Sequence, residues 1–152
     1  ELNKKEDCVL QIGGSDQWGN IINGVDLIKR HSNNQVYGLT TPLITLASGA
    51  KMGKSADGAI WLDDKFLSPY DYWQFWRNTD DRDVIKFLKI FTNLEIEEID
   101  NLKNLDINKL KILLANKTTE MLHGSKHAKD SEKTAKETFS ENSTGLNLPF
   151  IK

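Results

Sequence analysis

The chain has a single cysteine, Cys8, among 152 residues. No disulfide can form within it, and the cysteine usage fits a reducing compartment. No apolar run approaches the length of a membrane span, so no membrane partner is expected. The formal charge is only −2, which excludes a histone-like or polybasic binder. Any nucleic-acid contact must then be local and directed by shape. No internal repeat is found. The first residues, Glu1-Leu2-Asn3-Lys4-Lys5, carry no initiator methionine and no signal or transit pattern, and Phe150-Ile151-Lys152 shows no stop feature. The sequence reads as an excised piece of a longer chain.

What is present is organised around Lys51-Met52-Gly53-Lys54-Ser55. Two ammonium groups and a hydroxyl are grouped around a glycine. Gly49 and Gly53 allow positive φ and close backbone approach, and the lysines are point charges on flexible stems, suited to a phosphate chain. Gly53-Lys54-Ser55 is also how a Walker A motif ends, but the glycine that motif requires is replaced by Ser48. A P-loop must moreover open a helix, whereas here a turn, Ala56-Asp57-Gly58, leads to an apolar run expected as a strand, Ala59-Ile60-Trp61-Leu62-Asp63.

Upstream, Val9-Leu10-Gln11-Ile12 is expected as a buried strand entering a tight Gly13-Gly14 turn. A helix follows, with Trp18, Ile21, Ile22, Val25 and Ile28 on one face, Ser15 or Asp16 as N-cap, and Lys29 and Arg30 in the last turn. This strand–turn–helix order places Gly14 at the carboxyl end of a strand, where open α/β sheets bind ligands. Gly13-Gly14-Ser15-Asp16-Gln17 is not a G-x-S-x-G nucleophile elbow. No G-x-G-x-x-G fingerprint passes through Gly13, Gly14 and Gly19.

From Ser68-Pro69 onward the pattern becomes helical, with Ser68 as cap and Pro69 at the first helical position. Tyr72, Trp73 and Trp76 form one apolar face, expected as core rather than a base-stacking platform. Val84, Ile85, Leu88 and Phe91 form a second, with Asp80 as cap. Ile96, Ile99 and Leu102 mark a short third helix. Leu110, Leu113, Leu114 and Met121 mark a longer one ending at Gly124, and Ser125 is expected to cap a fifth. Between Lys109 and Lys136 seven lysines face Glu120, Asp130 and Glu132, a modestly basic surface. His123 and His127 lack the third ligand of a metal site, and no metal-binding residue is assigned. Residues 142–147 are expected as loop.

Three runs closely resemble bacterial and mitochondrial-type tyrosyl-tRNA synthetases: Ile12-Gly13-Gly14-Ser15-Asp16-Gln17-Trp18-Gly19-Asn20, Gly38-Leu39-Thr40-Thr41-Pro42-Leu43-Ile44-Thr45, and the lysine run. Thr79-Asp80-Asp81-Arg82-Asp83-Val84 matches as well, and the likeness weakens after Leu105. The lysine run looks like the family's KMSKS signature, with Gly53 in place of the central serine. The resemblance implies an α/β then all-α chain. Residues 1–66 would be the C-terminal half of a class I Rossmann-like catalytic domain, with the signature loop at 51–55, and 67–152 a small helical domain that helps dock the anticodon arm.

It also implies roles. Gly14 and Asp16 contact the ATP ribose, Leu43 and Ile44 receive the adenine, and Gln17 holds the amino-acid carboxylate. Lys51, Lys54 and Ser55 close over the β- and γ-phosphates as the catalytic set. ATP, with Mg2+, is then a substrate, no cofactor is tightly bound, tRNA(Tyr) and tyrosine are partners, and the full-length protein is a homodimer. The location implied is the cytoplasm, or the mitochondrial matrix for a eukaryotic source. The family's HIGH signature and tyrosine-reading pocket are not among these residues, so the isolated chain is expected to be inactive. The competing expectation is a non-catalytic RNA-binding or structural module derived from such a synthetase.

Overall fold

The computed structural model describes residues 1–52 and 60–140. They group into two compact units, Glu1–Thr45 and Leu46–Lys152.

The first unit is a short helix α1 (Leu2–Glu6), strand β1 (Leu10–Gly14), helix α2 (Trp18–Ser32) and strand β2 (Tyr37–Thr41). The strands are parallel, with Leu10 opposite Tyr37 and Gly14 opposite Thr41. Parallel strands need a crossover, and α2 supplies it. Ile21 is 1% exposed and is the helix's anchor on the sheet. A Cβ on Gly38 would lie 2.5 Å from Ile21 Cγ2, and one on Gly13 would lie 3.1 Å from its Cδ1. Two glycines on neighbouring strands thus let one isoleucine sit directly on the backbone. Asn33 ends α2 in the left-handed conformation (φ 57°), its N–H donating to the Lys29 carbonyl, with Lys29, Arg30 and His31 in the last turn.

Three expectations change here. The strand begins at Leu10 and includes both glycines, and it is not buried: Val9, Leu10 and Ile12 are exposed, as are Tyr37 and Leu39 beside them. A two-stranded sheet with one helix on it leaves much of its apolar surface uncovered. Neither Ser15 nor Asp16 caps α2. Both belong to a 3-10 turn (Ser15–Gln17), and α2 starts from Gln17 without a side-chain cap. Of the predicted apolar face only Ile21 is buried, while Trp18 is about half exposed.

The second unit is helical: α3 (Pro69–Arg77), α4 (Val84–Phe91), α5 (Ile96–Leu102), α6 (Ile107–His123) and α7 (Ser125–Ser140). Helices α3, α6 and α7 pack on one another, α4 lies on α6, and α5 on α4. Ser68 caps α3, its Oγ accepting from the Asp71 N–H at 3.1 Å, with Pro69 following. Tyr72, Trp73 and Trp76 are buried and are core. Trp76 meets Phe87 edge-on at 6.0 Å and Tyr72 at 6.1 Å, contacts worth about 0.5–1.5 kcal/mol each beyond their burial. Val84, Leu88, Ile99, Leu110 and Leu114 complete the core. Asp106 caps α6 by accepting from the Asn108 and Lys109 N–H groups, and Gly124 (φ 89°) ends it.

Other predicted positions differ. Ile60, Trp61 and Leu62 form no strand; Trp61 is exposed and packs on Phe66 at 5.0 Å instead. Ile96 and Met121 are exposed, because each helix buries only the stripe facing its neighbours. Asp80 caps a 3-10 turn (Asp81–Asp83) that precedes α4, rather than α4 itself. Ser125 lies inside α7, its hydroxyl bonded to Glu120 at 2.7 Å. The expected loop at 142–147 falls outside the described residues. No described helix is long and apolar enough to cross a membrane.

Candidate nucleotide site and the root of the lysine run

In the first unit the predicted ligand residues gather at the carboxyl ends of the two strands. Gly14 ends β1 beside Thr41, which ends β2, and Leu43 comes two residues later. A Cβ on Gly14 would come within 2.8 Å of both Asp16 Oδ1 and Leu43 Cδ2, so glycine is what lets these side chains approach the strand end. Asp16 and Gln17 are exposed in the 3-10 turn, and Gln17 Oε1 accepts from Asn20 Nδ2 at 2.9 Å. Leu43 is half-buried and Ile44 exposed. The structure therefore brings Gly14, Asp16, Gln17 and Leu43 into one neighbourhood at the strand ends, with a carboxylate and an amide exposed on it.

Lys51 is exposed and belongs to the second unit. Lys54 and Ser55 lie outside the described residues. The root of the run is described: Leu46 N–H donates to the Ala50 carbonyl and Gly49 N–H to the Leu46 carbonyl, both at 2.8 Å, with Gly49 at φ 84°. Positive φ makes Gly49 the residue that allows this turn. Leu46, Met52 and Ile60 pack against the helical core.

Asp83 has a place that sequence reasoning misses. It is 2% exposed, its Oδ2 accepts the Ala47 N–H at 2.6 Å, and its Oδ1 pairs with Lys86 Nζ at 2.5 Å. The one signal in the sequence is its place in the run 79–84, beside two other acidic residues. Next to it, Arg82 bonds both oxygens of Asp80 and holds that carboxyl well below the usual range, a surface pair of small energetic weight.

The basic surface is largely paired. Lys111 meets Asp81, Lys117 Glu120, Lys133 Glu137 and Lys136 Glu132. His123 sits edge-on to Tyr72 at 5.3 Å, its Nε2 buried without a hydrogen-bond partner. Among the described residues no group of three or more His, Cys, Asp or Glu could hold a metal ion.

The family model of class I tRNA synthetases (W and Y) matches residues 1–140. The tyrosine–tRNA ligase of Pelagibacter ubique is 75% identical over 149 residues, covering 98% of this chain and 36% of that protein. That of Dinoroseobacter shibae is 55% identical, over 99% of this chain and 37% of its own length. Among solved structures, the C-terminally truncated mitochondrial tyrosyl-tRNA synthetase of Aspergillus nidulans superposes with a TM-score of 0.69 at 32% identity, covering 89% of this chain and 40% of that one. The Coccidioides posadasii counterpart gives 0.64 at 33%, covering 82% and 38%. The chain thus spans little more than a third of the curated relatives it matches. With a parallel βαβ unit and a family match over residues 1–140, the chain belongs to the class I tRNA synthetases of the tryptophan and tyrosine group.

Proposed function

We propose that these residues are the ATP-handling half of a tyrosine–tRNA ligase together with its helical domain. The observation that carries the proposal is the gathering of Gly14, Asp16, Gln17 and Leu43 at the carboxyl ends of two parallel strands, in a chain 75% identical to a tyrosine–tRNA ligase. In this reading Asp16 and the Gly14 backbone hold the ATP ribose, main chain at Leu43 and Ile44 meets the adenine, and Gln17 orients the tyrosine carboxylate. Residues 1–66 serve the Rossmann-like catalytic half. Residues 67–152 form the helical domain that meets the anticodon arm of tRNA(Tyr). The lysine run is chemically part of the first, although its root packs with the second.

The chemistry asks little of acids and bases. The tyrosine carboxylate, already ionised, attacks the α-phosphorus of ATP in line, and pyrophosphate leaves. Lys51, Lys54 and Ser55 supply charge and hydrogen bonds to that leaving group, most strongly in the transition state. A ribose hydroxyl of the terminal adenosine of tRNA then attacks the adenylate carbonyl, AMP leaves, and the ester forms. Any Mg2+ enters as part of the nucleotide substrate. The full-length protein acts as a homodimer in the cytoplasm, or in the mitochondrial matrix if its source is eukaryotic.

The test is amino-acid-dependent exchange of pyrophosphate into ATP. The full-length protein should exchange with tyrosine and not with tryptophan, and the 152-residue chain alone should not exchange. A full-length protein that binds tRNA yet exchanges with no amino acid would be an RNA-binding module. Exchange by the isolated chain would mean that the site has been misplaced.

A further inference from the structure

We infer that Asp83 is a positioning residue for amino-acid activation, fixing the segment from which the lysine run departs. The inference rests on the pyrophosphate-binding role proposed for that run.

Asp83 stands at the N-cap position of α4, where an aspartate ordinarily accepts from the first free N–H groups of its own helix. It makes no such bond. Its carboxylate instead reaches the Ala47 N–H, 36 residues earlier in the chain, at 2.6 Å. The second oxygen is taken by Lys86 at 2.5 Å, and that ammonium also lies 4.9 Å from the Phe87 ring centroid. A carboxylate that is 2% exposed loses most of its hydration, and charge-assisted bonds on both oxygens are what offset the loss. One oxygen thus serves α4 through Lys86, and the other leaves the helix for Ala47.

The amide that Asp83 holds stands at the entrance to the lysine run. Ala47 is inside the turn closed by Leu46 and Ala50, and Lys51 comes directly after Ala50. The clamp therefore sets where the backbone enters the run. Transition-state charge stabilisation is sensitive to displacements of about 1 Å, which can cost roughly a hundredfold in rate.

The experiment is single-turnover adenylate formation in the full-length ligase, with tyrosine affinity and amide hydrogen exchange over 46–50 measured alongside. Asp83→Ala should slow adenylate formation roughly tenfold to a hundredfold, leave tyrosine affinity within about twofold, and speed exchange at the Ala47 amide. Asp83→Asn keeps the shape and one acceptor, and should lose less with the same split; it decides the matter if Asp83→Ala does not fold. In a Lys54→Ala background either variant should slow the step by less than about twofold more, because both act on one leaving group. Full additivity with Lys54→Ala, or an unchanged rate, would overturn the inference while leaving the role of the lysines intact. A neutral Lys54→Ala would overturn both.

Discussion

Leu43 Cδ2 lies 2.8 Å from the point that a Cβ on Gly14 would occupy, with Asp16 Oδ1 equally close to it. A methyl group at residue 14 must displace both, and the Asp16 carboxylate is the group assigned to the ATP ribose. Both atoms are the ends of flexible side chains that can swing aside, so the effect falls on where the carboxylate stands rather than on stability. Gly14→Ala should therefore raise the KM for ATP at least roughly tenfold in pyrophosphate exchange, a ~1.4 kcal/mol effect, with the KM for tyrosine changed much less. An ATP KM within twofold of the parent would show that the strand end does not meet the nucleotide.

A second glycine pair separates packing from helix propensity. A Cβ on Gly38 would meet Ile21 Cγ2 at 2.5 Å, whereas one on Gly19, in the first turn of α2, would meet nothing within 4 Å. Gly38→Ala should lower the thermal midpoint by an amount corresponding to about 1–3 kcal/mol. Gly19→Ala should raise it by the equivalent of ~0.5–1 kcal/mol, since alanine loses less entropy in a helix. Shifts of the same sign would mean that Ile21 is not seated on the β2 backbone.

These two positions also show what the sequence reveals. The helix after the glycines is legible from spacing, but that Gly13 and Gly14 close the strand rather than form the turn is not; nor is the seating of Ile21 on Gly13 and Gly38, because the pairing of β1 with β2 brings them together across 25 residues of chain. The helical half is easier to read. Its caps at Ser68 and Gly124 are local, and the Tyr72-Trp73-Trp76 face comes from a 3.6-residue period. The strand expected over 59–63 fails at 60–62 because apolar composition alone cannot tell a strand from an irregular segment whose Ile60 packs on the helical core and whose Trp61 packs on Phe66. Asp83 is visible in the sequence only as part of a motif. Nothing in its neighbours says that its partner is Ala47.

His123 gives a pH dependence whose sign can be worked out. Burial pushes its imidazole below the ordinary histidine range, and His127 adds to the shift while Asp64 opposes it. The unfolded chain then takes up a proton at a higher pH than the folded protein does. Stability is fully present above the unfolded value of about 6.5, falls as pH drops through it, and levels off below the depressed folded value. His123→Phe should flatten this part of the curve of unfolding free energy against pH, and should also remove the buried, unpartnered Nε2. A variant with the parent's slope between pH 7 and 5 would assign the dependence to other groups.

The lysines separate a catalytic loop from an ordinary surface turn. If the run holds pyrophosphate mainly in the transition state, Lys54→Ala in the full-length protein should slow adenylate formation by roughly a hundredfold or more with little change in tyrosine binding, because only differential binding appears in the rate. Lys51→Ala should act in the same direction and less severely. The double variant should lose less than the two effects combined, since both ammonium groups serve one leaving group. Lys65 is the control: it is exposed, its N–H is held by Asp63 Oδ1 at 3.0 Å, and its side chain lies outside the run. Lys65→Ala should be close to neutral. Adenylate formation by Lys54→Ala within about twofold of the parent, a difference of only ~0.4 kcal/mol, would reduce residues 51–55 to a solvated turn, and the assignment of the pyrophosphate site would have to move elsewhere.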